Sequence, residues 1–413
     1  MAGTRQEVDV LVVGAGLAGL ACARDLIDAG LTVRVLEASD AVGGRMRTDR
    51  VDGFLVDRGF QVFNTSYPQA RRRLSVRDLR LRPFTPGVLI HTEEGRLRFS
   101  DPTRTPRRAA DLLPGRLAGP RDLLALGALS ARDMFGPVRL LKRGADRTTR
   151  TALAAAGFSE EFVERFFRPF LSGVFLEDDL ETSSRVFHLV WRSMLRGTLC
   201  LPAEGIGAVP AQLADALPSG TVRLEAPVDR LTDAGVELSA GGEIPARAVV
   251  VATGPRPAVG LLPELEVPPY RTVTTYYHAA ERSPLAEPTL LTDTRRRFLN
   301  TAVLSEVVPG YAPPGASLVA TSVLGGDDEG RETAVRDALT EAYGTDAHAW
   351  RLLTVRTIPD ALPAMAPPQP LSRGARVSPG RYVCGDHRAT GSVQGALASG
   401  ARAARELLRD LGR

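Results

Sequence analysis

The sequence predicts an α/β protein that combines a mainly parallel sheet with a second, inserted domain of helices and strands. Glycines in the spacing GxGxxG, at Gly14, Gly16 and Gly19, follow an apolar strand pattern near the N-terminus. An acidic residue, Glu37, ends a second strand pattern about 20 residues further on. The chain has 413 residues, which is more than one domain usually needs. Together these features indicate a Rossmann-like domain interrupted by insertions.

The glycines lie in the turn of a predicted strand–helix–strand unit. Val8–Val13 is an apolar, β-branched run that is typical of a buried parallel strand. Leu17–Ala29 has helical apolar spacing, and Gly30 is a suitable residue to end that helix. Leu31–Leu36 is then predicted to be the second strand, with Glu37 at its end. This is the context that the glycine motif requires for binding a dinucleotide.

Each glycine of the motif has a physical reason to be there. Gly14 permits the tight turn, Gly16 lets the backbone approach a pyrophosphate, and Gly19 lets helix and strand pack closely. The helix N-terminus offers free N–H groups and its positive dipole end to the phosphates. Glu37 can accept hydrogen bonds from ribose hydroxyls, and its charge disfavours the 2′-phosphate of NADP. The alternative, a glycine turn that serves packing alone, does not account for the acidic residue.

A second glycine pair decides between the dinucleotides. The run EASDAVGGRMRT, which contains Gly43, Gly44 and Arg45, resembles the signature of the flavin-dependent amine oxidase, protoporphyrinogen oxidase and phytoene desaturase superfamily. Arg168–Phe187 resembles the protoporphyrinogen oxidase and desaturase-like branch in particular. The resemblance implies a Rossmann-like, GR2-type FAD-binding domain with an inserted α+β substrate domain. Physically, the two glycines allow another close backbone approach, and the arginine supplies a fixed charge.

Further segments resemble the same superfamily. Gly53–Phe63, with Asp57, is similar to the strand pair beside the flavin ring, and Gly380–Leu408 to the segment that closes over the pyrophosphate, ribityl chain and flavin. Leu201–Leu217, Val222–Leu231 and Ala246–Pro255 are similar to the central return of the chain into the FAD domain. The resemblance implies that FAD is bound by Gly14, Gly16, Leu17, Ala18, Gly19, Glu37, Ala38, Gly43, Gly44, Arg45, Gly59, Phe60, Gln61, Val228, Ala252, Thr253, Gly254, Gly385, Asp386, Val393, Gln394 and Ala396.

The positions of these motifs predict a discontinuous FAD domain at about 1–75, 200–265 and 375–413. The insertions would form the substrate domain, with 76–199 mainly helical and 266–374 mixed. Within the first insertion, Pro114, Pro120 and Pro137 should divide Arg107–Gly144 into short helices. Within the second, Tyr270–Ala280 and Ala316–Gly326 are predicted strands and Gly330–Ala342 a predicted helix.

Composition limits the partners and the compartment. Hydrophobic residues make up 44% of the chain, the formal net charge is +4, and no aromatic-interleaved basic stripe suggests nucleic acid. Three cysteines without a CxxC or His/Cys cluster predict neither a disulfide framework nor a metal site. No signal or membrane-spanning pattern is present, so we expect a cytoplasmic protein. The basic and apolar faces of Arg107–Gly144 suggest peripheral membrane contact, against the alternative of a helical cap over a pocket.

The expected chemistry is that of an FAD-dependent oxidoreductase, with hydride passing from a substrate to the flavin. The single lysine, Lys142, lies in the helical insertion, and the C-terminal segment lacks an aromatic cage residue, so a standard amine oxidase is disfavoured. We therefore expect a dehydrogenase, desaturase or oxidase that acts on a C–C or C–N bond of a hydrophobic small molecule. The alternatives are a flavin-dependent isomerase, an amine oxidase with an atypical site, and a non-catalytic FAD-binding protein.

The sequence offers few protein groups for catalysis. His387, Tyr276 and His278 are weak candidates, and the flavin itself is the best candidate for the reactive group. Tyr276 and His278 should share one face of their strand, with Tyr277 on the other. The electron acceptor, oxygen or another molecule, is left open, as are the oligomeric state and a covalent link to the flavin.

Overall fold

The computed structural model describes residues 8–101, 104–105, 107 and 117–413. The strands are β1 (Val8–Val13), β2 (Val33–Leu36), β3 (Thr48–Val51), β4 (Phe54–Asp57), β5 (Phe63–Asn64), β6 (Arg82–Pro83), β7 (Gly87–Thr92), β8 (Gly95–Ser100), β9 (Leu199–Leu201), β10 (Val222–Arg223), β11 (Val228–Leu231), β12 (Gly235–Leu238), β13 (Glu243–Val251), β14 (Tyr270–Ala280), β15 (Leu291–Asp293), β16 (Asn300–Val303), β17 (Ser317–Leu324), β18 (Arg351–Pro363), β19 (Arg376–Ser378) and β20 (Arg381–Val383). The helices are α1 (Leu17–Asp28), α2 (Pro68–Arg73), α3 (Pro120–Phe135), α4 (Val138–Arg143), α5 (Thr149–Ala155), α6 (Glu160–Phe162), α7 (Arg168–Phe175), α8 (Ser184–Arg196), α9 (Ala208–Asp215), α10 (Pro255–Leu261), α11 (Leu304–Val307), α12 (Arg331–Tyr343) and α13 (Val393–Asp410).

The first sheet brings the two ends of the chain together. Its order is β10-β2-β1-β13-β12-β11, and β20 pairs with β13 on one side and with β19 on the other. The pairs among β10, β2, β1, β13 and β20 are parallel, as expected for strands separated by long crossovers. The carboxyl ends of β1, β2, β13 and β20 therefore meet at one edge, which is where α/β sheets bind their ligands.

Two close backbone contacts fix the helices that cover this sheet. A Cβ atom at Gly19 of α1 would lie 2.0 Å from the carbonyl oxygen of Gly14, so helix and loop touch directly. A Cβ atom at Gly400 of α13 would lie 2.1 Å from the carbonyl oxygen of Ala18. These contacts confirm the packing role that the sequence assigns to Gly19, and they show that α13 rests on α1 with no side chain between them.

The second sheet supports the other side of the molecule. Its order is β18-β14-β17-β16-β15-β7-β8, with β14 antiparallel to both β17 and β18. Residues of α12, among them Val335 and Leu339, share a buried core with Tyr276 of β14. A separate aromatic core, which includes Phe162, Phe167 and Trp191, holds the helices between residues 117 and 196 together.

The sequence predictions for these elements are largely confirmed, and one of them is wrong in detail. Besides its helices, the segment 76–199 contains the hairpin of β7 and β8, and Gly95, the first residue of β8, has a φ of +117°. Val222–Leu231, which the resemblance implies to be one strand, is two short strands, because the chain leaves the extended conformation at Glu225, where φ is +50°. Pro120 begins α3 and Pro137 immediately precedes α4, as predicted, whereas Pro114 lies outside the described residues. The domain boundaries themselves stay a prediction.

We predict that Gly400→Ala destabilises the protein by roughly 1–3 kcal/mol, because the new methyl group would force α13 away from α1. The matched control is Gly127→Ala in the middle of α3, where an added Cβ meets no atom within 4 Å. That control should raise stability by about 0.5–1 kcal/mol, since alanine is the better helix former. Urea unfolding measures both changes, and equal effects of the two substitutions would contradict the close-contact argument.

Candidate active site

A cavity of about 1740 Å³ is lined by residues of both large sheets and of the helical cluster. Every residue that the sequence predicts to bind FAD lines this cavity, with the exception of Gly19. Gly19 acts through packing instead, as described above. Segments that are far apart in the sequence therefore contribute to one site.

The N-terminus of α1 is free to bind an anion. Gly16 occupies the position before the helix, no side chain caps the first turn, and no acidic residue lies in that turn. The backbone of Gly16 faces open space, since an added Cβ would meet no atom within 4 Å. Gly14 has a φ of +107°, and a Cβ there would lie 2.8 Å from the carbonyl oxygen of Ala252. The unpaired N–H groups and the helix dipole thus point into a space that a pyrophosphate can fill.

The carboxylate of Glu37 is held by three donors from the protein. Its Oε2 accepts from the backbone N–H of Ala15 at 2.7 Å. Its Oε1 accepts from the N–H and the hydroxyl of Ser39 at 3.0 and 2.7 Å. A carboxylate has about four lone-pair sites, so one of them stays available for a ribose hydroxyl. Glu37 also lines the cavity, which places this carboxylate within reach of a bound cofactor.

An ion pair joins the N-terminal and C-terminal motifs. The guanidinium of Arg45 donates to Asp386 Oδ2 at 2.8 Å and to the carbonyl oxygen of Ala361 at 2.7 Å. Burial alone would lower the pKa of Arg45, but the neighbouring carboxylate of Asp386 raises it, so the guanidinium stays charged. The hydroxyl of Tyr270 donates to the other oxygen of Asp386 at 3.5 Å. Gln61 donates to the carbonyl oxygen of Arg45 at 2.8 Å and so ties the two predicted flavin-binding loops together.

The start of α13 also faces the cavity. Ser392 caps the helix by accepting from the N–H of Gly395 at 3.0 Å, and the helix begins at Val393, near which the small residues of the C-terminal segment predict its start. The side-chain oxygen of Gln394 accepts from the backbone N–H of Gln69 at 2.9 Å, which connects α13 to α2. The dipole of α13 therefore points at the space between Val393 and the segment Gly59–Gln61, where the sequence predicts the flavin ring.

Asp57 has a structural role at this site. Its Oδ1 accepts from the hydroxyl of Thr48 at 2.6 Å and from the N–H of Ile206 at 2.9 Å. It is fully buried, and burial raises the pKa of its carboxyl to about 6. Asp57 does not line the cavity, so it connects the β3–β4 hairpin to the chain before α9 rather than contacting a ligand.

The three weak catalytic candidates lie outside the cavity. The hydroxyl of Tyr276 donates to Asp327, and His278 Nε2 lies 2.9 Å from Glu332 Oε1 at the start of α12. The alternation along β14 is as predicted, but the shared face of Tyr276 and His278 is covered by α12. His387 is buried behind Gly385, and burial lowers the pKa of its imidazole to about 4. These side chains therefore do not contact a molecule bound in the cavity.

The part of the cavity beyond the predicted flavin-binding residues is mainly apolar. Its walls come from α7, α8, β9 and the residue before β15, namely Phe170, Val174, Phe175, Val186, Leu189, Val190, Leu199 and Leu290. We call this region the chamber. Sequence reasoning did not identify these residues, although the apolar positions of α8 recur with helical spacing. Asn300 lines the chamber as well, and its side-chain amide has no hydrogen-bond partner among the described residues.

Lys142 lies on α4, is exposed, and lines the cavity at its border with solvent. It therefore belongs to an opening of the cavity. Among the described residues, no group of three or more His, Cys, Asp or Glu side chains is arranged to hold a metal ion. No helix in the described ranges is long and apolar enough to cross a bilayer.

Comparison with known proteins agrees with this geometry. Residues 17–408 match the family of flavin-containing amine oxidoreductases. A hydroxysqualene dehydroxylase from Rhodopseudomonas palustris is 29% identical over 96% of this chain and 97% of its own length.

Solved structures share the fold over the whole chain. Cyclohexylamine oxidase from Brevibacterium oxydans superimposes with a TM-score of 0.70 over 98% of this chain and 100% of its own, at 20% identity. A protein from Exiguobacterium provisionally named protoporphyrinogen oxidase gives a TM-score of 0.69 over 98% and 99%, at 18% identity. At such identities these structures show the fold alone.

The chain belongs to the flavin-containing amine oxidoreductase family, and its cofactor is FAD. The residues of the cavity fit this cofactor. The uncapped α1 N-terminus suits the pyrophosphate, the remaining lone pair of Glu37 suits a ribose hydroxyl, and the cavity continues past Arg45 to the start of α13.

We predict that Arg45→Lys weakens FAD binding roughly tenfold, which corresponds to about 1.4 kcal/mol. A lysine presents one nitrogen and cannot reach Asp386 and the Ala361 carbonyl together as the guanidinium does. The control is Arg230→Lys, at an exposed ion pair with Glu237 away from the cavity. Reconstitution of the apoprotein, followed by flavin fluorescence, gives both dissociation constants. Equal affinities of the two variants would remove Arg45 from the cofactor-binding set.

Proposed function

We propose that this FAD-dependent oxidoreductase removes hydride from a C–C or C–N bond of a hydrophobic small molecule. The observation that supports this proposal is the apolar chamber, which is continuous with the part of the cavity predicted to hold the flavin. Burying an apolar substrate there is favourable by about 25 cal/mol per Å² of apolar surface removed from water. An amine or another charged group placed in the chamber itself would find little compensation on these walls.

The chain's own residues would bind and orient the substrate and exclude water. Phe170 and Val174 of α7 and Leu189 and Val190 of α8 supply apolar surface that keeps the reacting carbon away from solvent. Asn300 would hold a polar substituent, because its side-chain amide lines the chamber and has no hydrogen-bond partner among the described residues. The bound FAD supplies the hydride acceptor.

The charges along the cavity favour hydride transfer without a protein base. The acidic side chains that line it are Glu37, Asp360 and Asp386. Glu37 is bonded to the glycine loop, Asp386 is paired with Arg45, and Asp360 is paired with Arg256. Each therefore has a partner at the cofactor side. A reaction that needs a free carboxylate beside the substrate would find none among the described residues of the chamber.

A second candidate reaction follows from the relative in Rhodopseudomonas palustris. That protein is named a hydroxysqualene dehydroxylase and is aligned along nearly its full length. By analogy, the present chain would replace a C–O bond of an isoprenoid alcohol by a C–H bond. The reduced cofactor would then supply the hydride, and the hydroxyl group would leave with a proton as water. The same apolar chamber suits this substrate class.

Anaerobic flavin absorbance separates these reactions. The holoenzyme would be mixed with saturated or partly saturated isoprenoids, with reduced tetrapyrroles and with primary amines. We expect bleaching of the oxidised-flavin band by a hydrophobic compound and none by simple amines. In the reverse arm, photoreduced enzyme would be mixed with isoprenoid alcohols without oxygen, and return of the oxidised band would support dehydroxylation.

The remaining outcomes identify the alternatives. Bleaching by amines alone would contradict the proposal and favour an amine oxidase with an atypical site. Product formation without net flavin reduction or acceptor consumption would favour the isomerase. FAD binding with no reaction toward any compound would favour a non-catalytic protein. Admission of oxygen to the reduced enzyme then shows whether oxygen is the acceptor.

We also propose that the enzyme meets its substrate at an anionic membrane surface through α3 and α4. Four large apolar side chains of these helices are exposed, with Phe135 at 79% and Leu140 at 68%, together with Leu124 and Val138. The two acidic residues of these helices, Asp122 and Asp133, are buried. Their exposed charges are basic, at Arg121, Arg132, Arg139, Lys142 and Arg143. Apolar side chains surrounded by cations suit the headgroup region of an anionic bilayer.

The position of the surface formed by α3 and α4 also supports contact with a membrane. Val138 and Lys142 line the cavity and are also exposed, so the opening of the cavity lies on the surface formed by α3 and α4. A hydrophobic molecule could therefore pass from the bilayer into the chamber without crossing water.

We predict that Phe135→Asp combined with Leu140→Asp lowers binding to vesicles of phosphatidylcholine and phosphatidylglycerol at least tenfold. Val76→Asp, at an exposed apolar residue elsewhere, is the control and should bind as the native protein does. Flotation of the holoenzyme with vesicles measures the bound fraction at low and high salt. Absence of native binding, or equal binding by the double variant, would contradict the membrane proposal.

A further inference from the structure

A row of arginines borders the opening of the cavity. Arg185, Arg192 and Arg196 of α8 are spaced seven and four residues apart, which places them on one face of the helix. All three line the cavity, as do Lys142 of α4 and Arg71 of α2. Lys142, Arg71 and Arg196 are exposed, and Arg185 and Arg192 are half-buried. We call these five residues the basic rim.

The charges of the basic rim are not neutralised within the described part of the chain. Arg185 donates to the carbonyl oxygen of Gly144, Arg192 to the carbonyl oxygens of Asp133 and Gly136, and Arg71 to that of Thr65. These acceptors are neutral, and no described acidic side chain forms an ion pair with any rim residue. Most other cavity-lining arginines differ in this respect, since Arg45 pairs with Asp386 and Arg58 with Asp49.

The rim residues also act on one another. Burial and the neighbouring charge of Arg196 lower the pKa of Arg192, and the carboxylate of Asp133, which forms no ion pair with Arg192, raises it by less. The two cations therefore lie close enough to repel each other, and like charges held side by side cost free energy in the folded protein. An anion that binds between them relieves this repulsion, and guanidinium groups bind phosphate oxygens in a bidentate manner.

We propose that the basic rim binds a phosphate or diphosphate group at one end of the substrate while the apolar part of the substrate occupies the chamber. This inference rests on the proposed function and adds an anionic head to its substrate. The chamber residues of α8, Val186 and Val190, lie within one turn of Arg185 and Arg192 on the same short helix. An amphiphile with a phosphorylated end therefore matches both surfaces at once.

The cavity is polarised in a way that supports this orientation. Its acidic side chains, Glu37, Asp360 and Asp386, are all at the cofactor side, whereas the five cations of the basic rim are at the opening. A phosphorylated substrate would enter with its apolar end leading and would stop where its head meets the arginines. The head thereby sets the depth of the chain in the chamber and the carbon that is presented to the flavin.

Farnesyl diphosphate and farnesol are suitable probes, because they differ only in the head group. Each would be titrated into the oxidised holoenzyme without vesicles, and binding would be followed by the change in the flavin absorbance spectrum. We expect the diphosphate to bind at least tenfold more tightly than the alcohol. Inorganic diphosphate should compete with farnesyl diphosphate and leave farnesol binding unchanged.

The double variant Arg192→Gln with Arg196→Gln should abolish this difference in affinity. It should weaken the binding of farnesyl diphosphate and not that of farnesol, because the chamber is left intact. The matched control is Arg139→Gln with Arg143→Gln on α4, which removes two cations that do not line the cavity. Equal affinities of the two probes for the native enzyme, or an unchanged preference in the Arg192/Arg196 variant, would overturn the inference.

The test distinguishes failure of the inference from failure of the proposed function. If farnesol binds as tightly as farnesyl diphosphate, the apolar chamber remains the proposed substrate site, and only the anionic head group of the proposed substrate is contradicted. If neither probe perturbs the flavin, the hydrophobic-substrate proposal and the basic-rim inference are both overturned. Thermal unfolding and the visible spectrum of each variant confirm that it folds and holds FAD before the titrations are compared.

Discussion

The close approach of α13 to α1 is the constraint on which the rest of the active site depends. Gly400 brings the C-terminal helix against the backbone of Ala18, and Gly19 brings α1 against the loop at Gly14. The parallel sheet then aligns the carboxyl ends of β1 and β20, so that the glycine loop and Gly385 face the same space. The ion pair between Arg45 and Asp386 can form only because these segments, far apart in sequence, have already been brought together.

The cavity separates three kinds of surface along its length. At the cofactor side, the carboxylates are engaged in hydrogen bonds and ion pairs with the protein, so none of them is a free base beside the substrate. In the middle, α7 and α8 present apolar side chains, and Asn300 of β16 presents an amide. At the opening, Arg71, Arg185 and Arg192 of the basic rim donate to carbonyl oxygens, and no rim residue pairs with a carboxylate in the described part of the chain. A buried charge is costly unless it is paired, so this division restricts ligand charge to the two ends of the cavity.

The sequence predicted the parts of the site that are local in the chain. The turn at Gly14 to Gly19, the end of β2 at Glu37 and the start of α13 at Val393 each depend on a few neighbouring residues, and each lies where it was predicted. The chamber was missed because its walls come from α7, α8, β9 and the chain before β15, and their meeting is a tertiary contact. The same limit explains why the covered face of β14 was not predicted. Alternation correctly separated Tyr276 from Tyr277, but it does not say which face a helix will cover.

The helix α8 shows how one short segment can serve the core, the chamber and the opening together. Phe187 and Trp191 lie four residues apart and pack into the aromatic core with Phe167, which fixes the rotation of the helix about its axis. With that rotation fixed, a period of 3.6 residues directs Val186 and Val190 to the chamber and the arginines to its border. The position of the basic rim is therefore a consequence of aromatic packing on the opposite side of the same helix. A change in that packing would move the chamber wall and the cations as one unit, so the depth of the chamber and the place of the charges are coupled in this fold.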